Sequence, residues 1–296
     1  MRYVIDLLTL LKSYDFIEFG DFSTPSLQGA RSMRSEADLK EFYRQEMADW
    51  KVANKNRRRI EINILQDCDD GVLETVETCV IHAALGLKST TALFARWAYG
   101  GPARPYEIDF EHLAHLQARG LQFSYHANAW EMSGYDEGRL ADTFNADLDT
   151  LSAHGIAVDA FSPHGGKASP DGRTNATFFS PAFANRPLVW THNRIAPGGQ
   201  RQGDGALWPR LQSGDPTSDI RNHLLKHLAF GRRHWILFHP QYYSAVSPER
   251  ATRISAAPWT GEYWYGIESG RPLRFWEPVR RHLDKLAEER AIAHAA

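Results

Sequence analysis

From Ile60 onward the sequence alternates short runs of β-branched and aromatic residues with longer amphipathic runs, and this rhythm restricts the fold more than any other feature. Residues 60–65 read as a strand, 72–84 as a helix, and 86–94 (GLKSTTALF) as a turn leading into a second strand. A helix over 107–118 stops at Arg119-Gly120 before a strand over 121–125, and a helix over 140–154 stops at Gly155 before a strand over 156–161. A short strand at 188–191, a helix over 219–230 and a strand over 234–238 continue the pattern. Alternation of this kind belongs to α/β proteins with a parallel sheet. Upstream, leucines at helical spacing precede an extended FIEFGDF, and Ser35 caps a helix running to Trp50. A final helix covers 277–291, the segment 197–216 reads as a long loop, and residues 257–276 form an aromatic cluster suited to core or to covering a barrel end.

Polar residues fall at the ends of these strands. Asp67 and Asp69 follow the first, His126 the third, His164 the fourth, and His239 the last. In a parallel barrel the carboxyl ends of all strands meet at one face, so residues far apart in sequence converge there. The expected architecture is an α/β parallel barrel, a single domain with residues 1–59 as a helix and strand extension packed on residues 60–296. A chain of 296 residues is long enough, because such barrels need about 250.

Composition removes several function classes. A net charge of -2 offers no basic surface for nucleic acid, and no apolar run reaches the length of a membrane span. The N-terminus lacks a basic start and cleavage site, so a cytoplasmic location is expected. Cys68 and Cys79 match neither a disulfide framework nor a zinc or redox motif and read as buried thiols. No glycine-rich nucleotide loop and no Gly-x-Ser-x-Gly elbow occurs. Aspartate and histidine together suit a divalent metal, zinc above all, with three protein ligands and an open position, and a second aspartate can serve as base. Asn175-Ala-Thr177 is a formal glycosylation sequon and reads as incidental, while Ser162-Pro-His-Gly-Gly reads equally as a turn or as part of a site.

The segment 60–240 resembles the polysaccharide deacetylase superfamily, the NodB-homology or carbohydrate esterase type, in a divergent bacterial branch. Its first motif is an aspartate pair followed one helix later by Gly-hydrophobic-Lys-Ala-Thr; here these are Asp67-Cys-Asp69-Asp70-Gly71 and Gly86-Leu-Lys-Ser-Thr. One register makes Asp69 the base and Asp70 the ligand. The other makes Asp67 the base and Asp69 the ligand, and it is favoured because side chains two apart on a strand share a face. The second motif supplies His126, but the histidine expected four residues later is Trp130, and Asn128 stands where some divergent members carry a carboxylate. His164 is the candidate for the missing ligand. His239, in Leu-Phe-His-Pro, matches the closing motif whose histidine acts as general acid.

What the resemblance implies is a distorted (β/α) TIM-like barrel and a metal-dependent hydrolase that removes an N-acetyl group from a sugar or sugar-containing precursor in bacterial surface polysaccharide synthesis. Asp69, His126 and His164 would hold the metal, with Asp67 and His239 catalytic. The expected partners are a small-molecule or oligosaccharide substrate, with no nucleic acid. The rival expectations are a barrel that has lost catalysis and binds carbohydrate, because of Trp130, and a related hydrolase of other non-peptide C–N bonds.

Overall fold

The computed structural model describes residues 2–22, 25–55, 57–69, 71–97, 103–178, 180–190, 200–203, 219–242 and 276–295. The strands are β1 (Ile17–Gly20), β2 (Ile60–Asp67), β3 (Thr90–Leu93), β4 (Arg96–Trp97), β5 (Arg104–Pro105), β6 (Gln122–Ala127), β7 (Val158–Pro163), β8 (Val189–Trp190), β9 (Gln200–Gly203) and β10 (Arg232–Phe238). All but β4 and β5 join one parallel sheet, in the order β8-β7-β6-β3-β2-β10-β9, with β1 beside β2. β1 takes the first half of one edge of β2, at Ile60 to Asn63, and β3 takes the second half, at Leu65 to Asp67. The sheet is a curled parallel half-barrel, consistent with the distorted barrel expected from the sequence, and among the described residues β8 and β9 do not pair with each other.

Eight helices accompany the strands among the described residues: α1 (Arg2–Lys12), α2 (Glu36–Lys55), α3 (Val72–Ala84), α4 (Phe110–Ala118), α5 (Ala129–Met132), α6 (Glu137–Ala153), α7 (Asp219–His227) and α8 (Glu277–Ala295). Two of them start away from their expected residues because a cap sets the start. Asp109 accepts from the His112 backbone N–H and delays α4 to Phe110, and Asp136 accepts from Gly138 and advances α6 to Glu137. Inside the expected loop over 197–216 lies β9, whose Gln-Arg-Gln-Gly has no strand signature and is ordered by its ladder to β10. Asp70 and most of the aromatic stretch, residues 257–275, lie outside the described residues; Trp276 is buried at the head of α8.

The two faces of the central strands have different chemistry. Ile60, Ile62 and Ile64 of β2, with Ile236 and Phe238 of β10, pack in one apolar cluster with Leu7, Leu8 and Leu11 of α1, Leu224 of α7 and Leu283 of α8. Alternation turns Glu61, Asn63, Leu65 and Asp67 to the other face, where register sets Arg233 against Glu61 and Trp235 against Asn63. This second face carries polar side chains in an otherwise buried sheet, and they need partners.

α2 supplies one set. The buried Arg233 guanidinium donates to both oxygens of Glu46 at 2.8 and 2.9 Å, lies 2.7 Å from Glu61 through Nε, and stacks over Trp50 at 5.0 Å. Arg233→Met removes the cation and leaves two buried carboxylates uncompensated. The expected loss is about 3–5 kcal/mol of unfolding free energy in a denaturant titration, and a loss below about 1 kcal/mol would contradict the pairing.

His82 sits fully buried on α3, its Nδ1 between Ser89 Oγ at 2.9 Å and Gln66 Nε2 at 3.2 Å. Burial pushes its pKa from 6.5 down to about 3. The unfolded chain therefore takes up a proton at this residue before the folded chain does, and stability falls as pH drops from 6.5 toward 3. His82→Gln is expected to remove about 2 kcal/mol of the stability difference between about pH 7.5 and about pH 5, measured by denaturant unfolding at the two values.

Candidate metal centre

Parallel register brings the strand ends to comparable heights. Asp67 pairs with Ala92, Ala92 with Ser124 and Ser124 with Ala160, so these four share one level. One side-chain step farther along β6 is His126, paired with Ser162 of β7, and one step beyond Ser162 is His164. Past the end of β2 the chain keeps a ladder bond, Cys68 N–H to Ala92 O at 3.3 Å, and this carries Asp69 up toward His126. On the other side of β2, Phe238 pairs with Gln66, which puts His239 beside Asp67.

The side chains meet. One ligand atom each from Asp69, His126 and His164 lies within 4.8 Å of the others. Asp69 Oδ1 is 3.5 Å from His126 Nε2 and 3.8 Å from His164 Nε2. Asp67 Oδ2 approaches His126 Nε2 at 3.9 Å, and His239 Nε2 approaches Asp69 Oδ2 at 3.9 Å. All five residues singled out in the sequence are therefore neighbours. The two buried imidazoles rest against aromatic rings: Phe94 lies 4.8 Å from His126 and 5.1 Å from His164, and Trp97 lies 6.0 Å from His164.

Both Nδ1 atoms are occupied on the far side of the rings. His126 Nδ1 is 3.3 Å from the carbonyl and the hydroxyl of Ser162, and His164 Nδ1 is 3.1 Å from Glu131 Oε2. Both Nε2 atoms are thereby directed at Asp69. Trp130 plays no part in the cluster: its buried indole donates to Ser169 Oγ and the Arg173 carbonyl and packs on Phe178 at 4.7 Å. Asn128 instead donates to the Arg96 carbonyl at 2.8 Å.

Four supporting residues carried no signal in the sequence. Glu131 belongs to the short helix α5, too brief for any periodicity. Tyr106 donates to the carbonyls of Cys68 and Asp69, fixing the bend that carries the aspartate. Gln241, two residues past His239, donates to Asp69 Oδ2 at 3.2 Å. Asn175, part of the sequon, is buried and bonds Glu131, the His164 carbonyl and the Trp130 N–H.

Within the cluster the carboxylates and imidazoles stabilise each other's charge. Burial opposes ionisation of Asp69, but His126, His239 and His164 outweigh it and bring its pKa down to about 2. Burial likewise opposes charge on His126, yet Asp67 and Asp69 raise its pKa above the ordinary value. Glu131 is also held ionised against burial, by His164, the Lys167 N–H and Asn175. One carboxylate oxygen and two imidazole nitrogens, converging beside a further carboxylate, form a donor set that fits a divalent metal of the zinc type.

No family model matches the sequence, and no curated protein matches it. Among solved structures, the chain is similar to the peptidoglycan deacetylase PdaC from Bacillus subtilis at 11% identity, over 78% of this chain and 96% of that one, with a TM-score of 0.36. It is also similar to a mutant of a CE4 family pseudoenzyme with restored enzymatic activity, at 10% identity over 71% of this chain and 62% of that one, with a TM-score of 0.34. These distant likenesses assign no activity, and the centre stands on its own geometry.

Gly71, at the start of α3, lies close against the turn that follows His239. A Cβ there would lie 2.7 Å from Gln241 Cβ and 3.2 Å from Gln241 N, in the turn that follows His239. Gly71→Ala is expected to displace that turn and cost about 1–3 kcal/mol, read as a lower denaturation midpoint; an unchanged midpoint would contradict the tight approach.

Proposed function

We propose that this chain is a metal-dependent hydrolase that removes an N-acetyl group from a sugar or sugar-containing precursor. The observation that carries the reading is the convergence of Asp69, His126 and His164 on one point, with Asp67 and His239 beside it. Asp69, His126 and His164 hold the metal; when bound, it supplies Lewis acidity to the acetamide and lowers the pKa of water. Asp67 stands next to the donor cluster without belonging to it, which leaves its carboxylate to accept the proton of the attacking water. His239, half-buried at the rim, gives a proton to the departing nitrogen as the C–N bond breaks, so the products are acetate and a free amine. The buried Phe94 and Trp97 behind the imidazoles keep bulk water off one side of the cluster.

No helix among the described residues is long and apolar enough to cross a membrane. A precursor or oligosaccharide of bacterial surface polysaccharide synthesis, handled in the cytoplasm, is the substrate we assign. The rival reading, a barrel that only binds carbohydrate, drew on the loss of a histidine at Trp130. His164 supplies an imidazole in its stead, which supports hydrolysis over binding alone.

The test pairs metal content with acetate release from N-acetylglucosamine oligomers and nucleotide-linked N-acetylglucosamine. Alanine at Asp69, His126 or His164 is expected to lower both by on the order of 10²-fold or more. Asp67→Asn is expected to keep the metal while losing on the order of 10²–10⁴-fold in rate, which separates base from ligand. Zinc content and acetate release both unaffected by Asp69→Ala would overturn the proposal.

A further inference from the structure

We infer that Glu131 is the positioning residue of the centre, holding His164 in the one tautomer and orientation in which its Nε2 faces Asp69 and His126. The inference rests on reading that cluster as a metal site. His126 gains its fixed orientation from its own strand neighbour, since Ser162 is its register partner on β7. His164 lies just past the end of β7, where the ladder has given out except for its own N–H to the Ala127 carbonyl at 2.9 Å. Its ring therefore needs a partner from outside the sheet, and α5 supplies it.

The carboxylate of Glu131 is itself built in. Oε1 accepts the Lys167 N–H at 2.8 Å, and Oε2 accepts from Asn175 Nδ2 at 3.3 Å and lies 3.1 Å from His164 Nδ1. A carboxylate presents only acceptors, so the His164 Nδ1 carries the hydrogen, and of the two neutral tautomers the geometry selects the one whose Nε2 lone pair is free for a metal. Asn175 ties the same assembly twice more, donating to the His164 carbonyl at 3.2 Å and accepting the Trp130 N–H at 2.9 Å. The loop after His164 wraps the carboxylate so closely that a Cβ on Gly166, at φ +26°, would lie 2.5 Å from both oxygens. Four elements thus fix one carboxylate against one imidazole nitrogen. The arrangement matches the general role of a hydrogen-bonded carboxylate behind a ligating histidine, which sets the tautomer and raises ligand basicity.

A purely structural role is the competing account, in which Glu131 only pins the loop of Gly165, Gly166 and Lys167. Two measurements on the full chain separate them. In the metal-free protein, nitrogen-15 NMR of the histidine rings is expected to show His164 as the Nδ1–H tautomer, and Glu131→Ala is expected to shift it toward Nε2–H or a mixture. In zinc competition against a chromophoric chelator, Glu131→Ala is expected to weaken binding about 10–100-fold, with Glu131→Gln recovering part of the loss because its amide oxygen still accepts the Nδ1 hydrogen. Zinc binding by Glu131→Ala as tight as by the native chain, or an unchanged His164 tautomer, overturns the inference. An equal loss in the Gln and Ala variants overturns it too, because loop pinning alone then accounts for both. If the native chain binds no zinc at all, the metal reading fails, and the tautomer measurement still decides whether Glu131 orients the ring.

Discussion

The parallel register of β2, β3, β6 and β7 is the constraint on which the site depends. Because Asp67, Ala92, Ser124 and Ala160 sit at one level, every residue just beyond that level on the same face is delivered to the same volume. An antiparallel neighbour would have sent the start of one strand to the end of the next and scattered the same residues over two edges of the sheet. Helices α1, α7 and α8 pack on the isoleucines of β2 from the opposite face and hold that strand in place. Chemistry at the strand ends is therefore a consequence of apolar packing on the opposite face.

The polar face is sustained by charge pairing at two heights. Near the start of β10, Arg233 lies between Glu46 and Glu61, so the positive charge comes from the sheet and one of the two negative charges from α2. At the other end the carboxylates of Asp67 and Asp69 face imidazoles from β6, β7 and β10. The lower group is saturated, with Arg233 almost wholly enclosed and stacked on Trp50. The upper group is not: Asp67, Asp69 and His239 keep part of their surface exposed.

Much of this was legible in the sequence, for reasons that can be located. The isoleucine run of β2, the exact limits of α3 and the strand-end positions of Asp67, Asp69, His126, His164 and His239 all follow from local pattern, because burial on both faces demands an apolar run and the residues just after it are the first free to be polar. β9 was not legible, since its pairing with β10 comes from a strand nearly thirty residues away in sequence, on the order of a typical βαβ unit. Glu131, Tyr106, Gln241 and Asn175 were missed because each acts by reaching across the fold to another residue's backbone or side chain. The tryptophan at position 130 was legible as a missing ligand, whereas its positive role as packing for Phe178 and Arg173 was not.

Under the proposed function, a proton and a divalent ion would compete for the same place in this cluster. With no metal, the charge of Asp67 and Asp69 draws His126 toward its protonated form in spite of burial, and the resulting imidazolium neutralises part of the surplus. A divalent ion between Asp69, His126 and His164 would supply that charge from the same position and require His126 to give up its proton. The surrounding scaffold is indifferent to the exchange: Phe94 packs on both rings, Ser162 and Glu131 hold their far nitrogens, and Tyr106 fixes the aspartate bend by backbone carbonyls alone. The shape of the cluster is in this sense set by packing and by hydrogen bonds on the far side of each imidazole, so that an ion bound there would contribute charge and not fold.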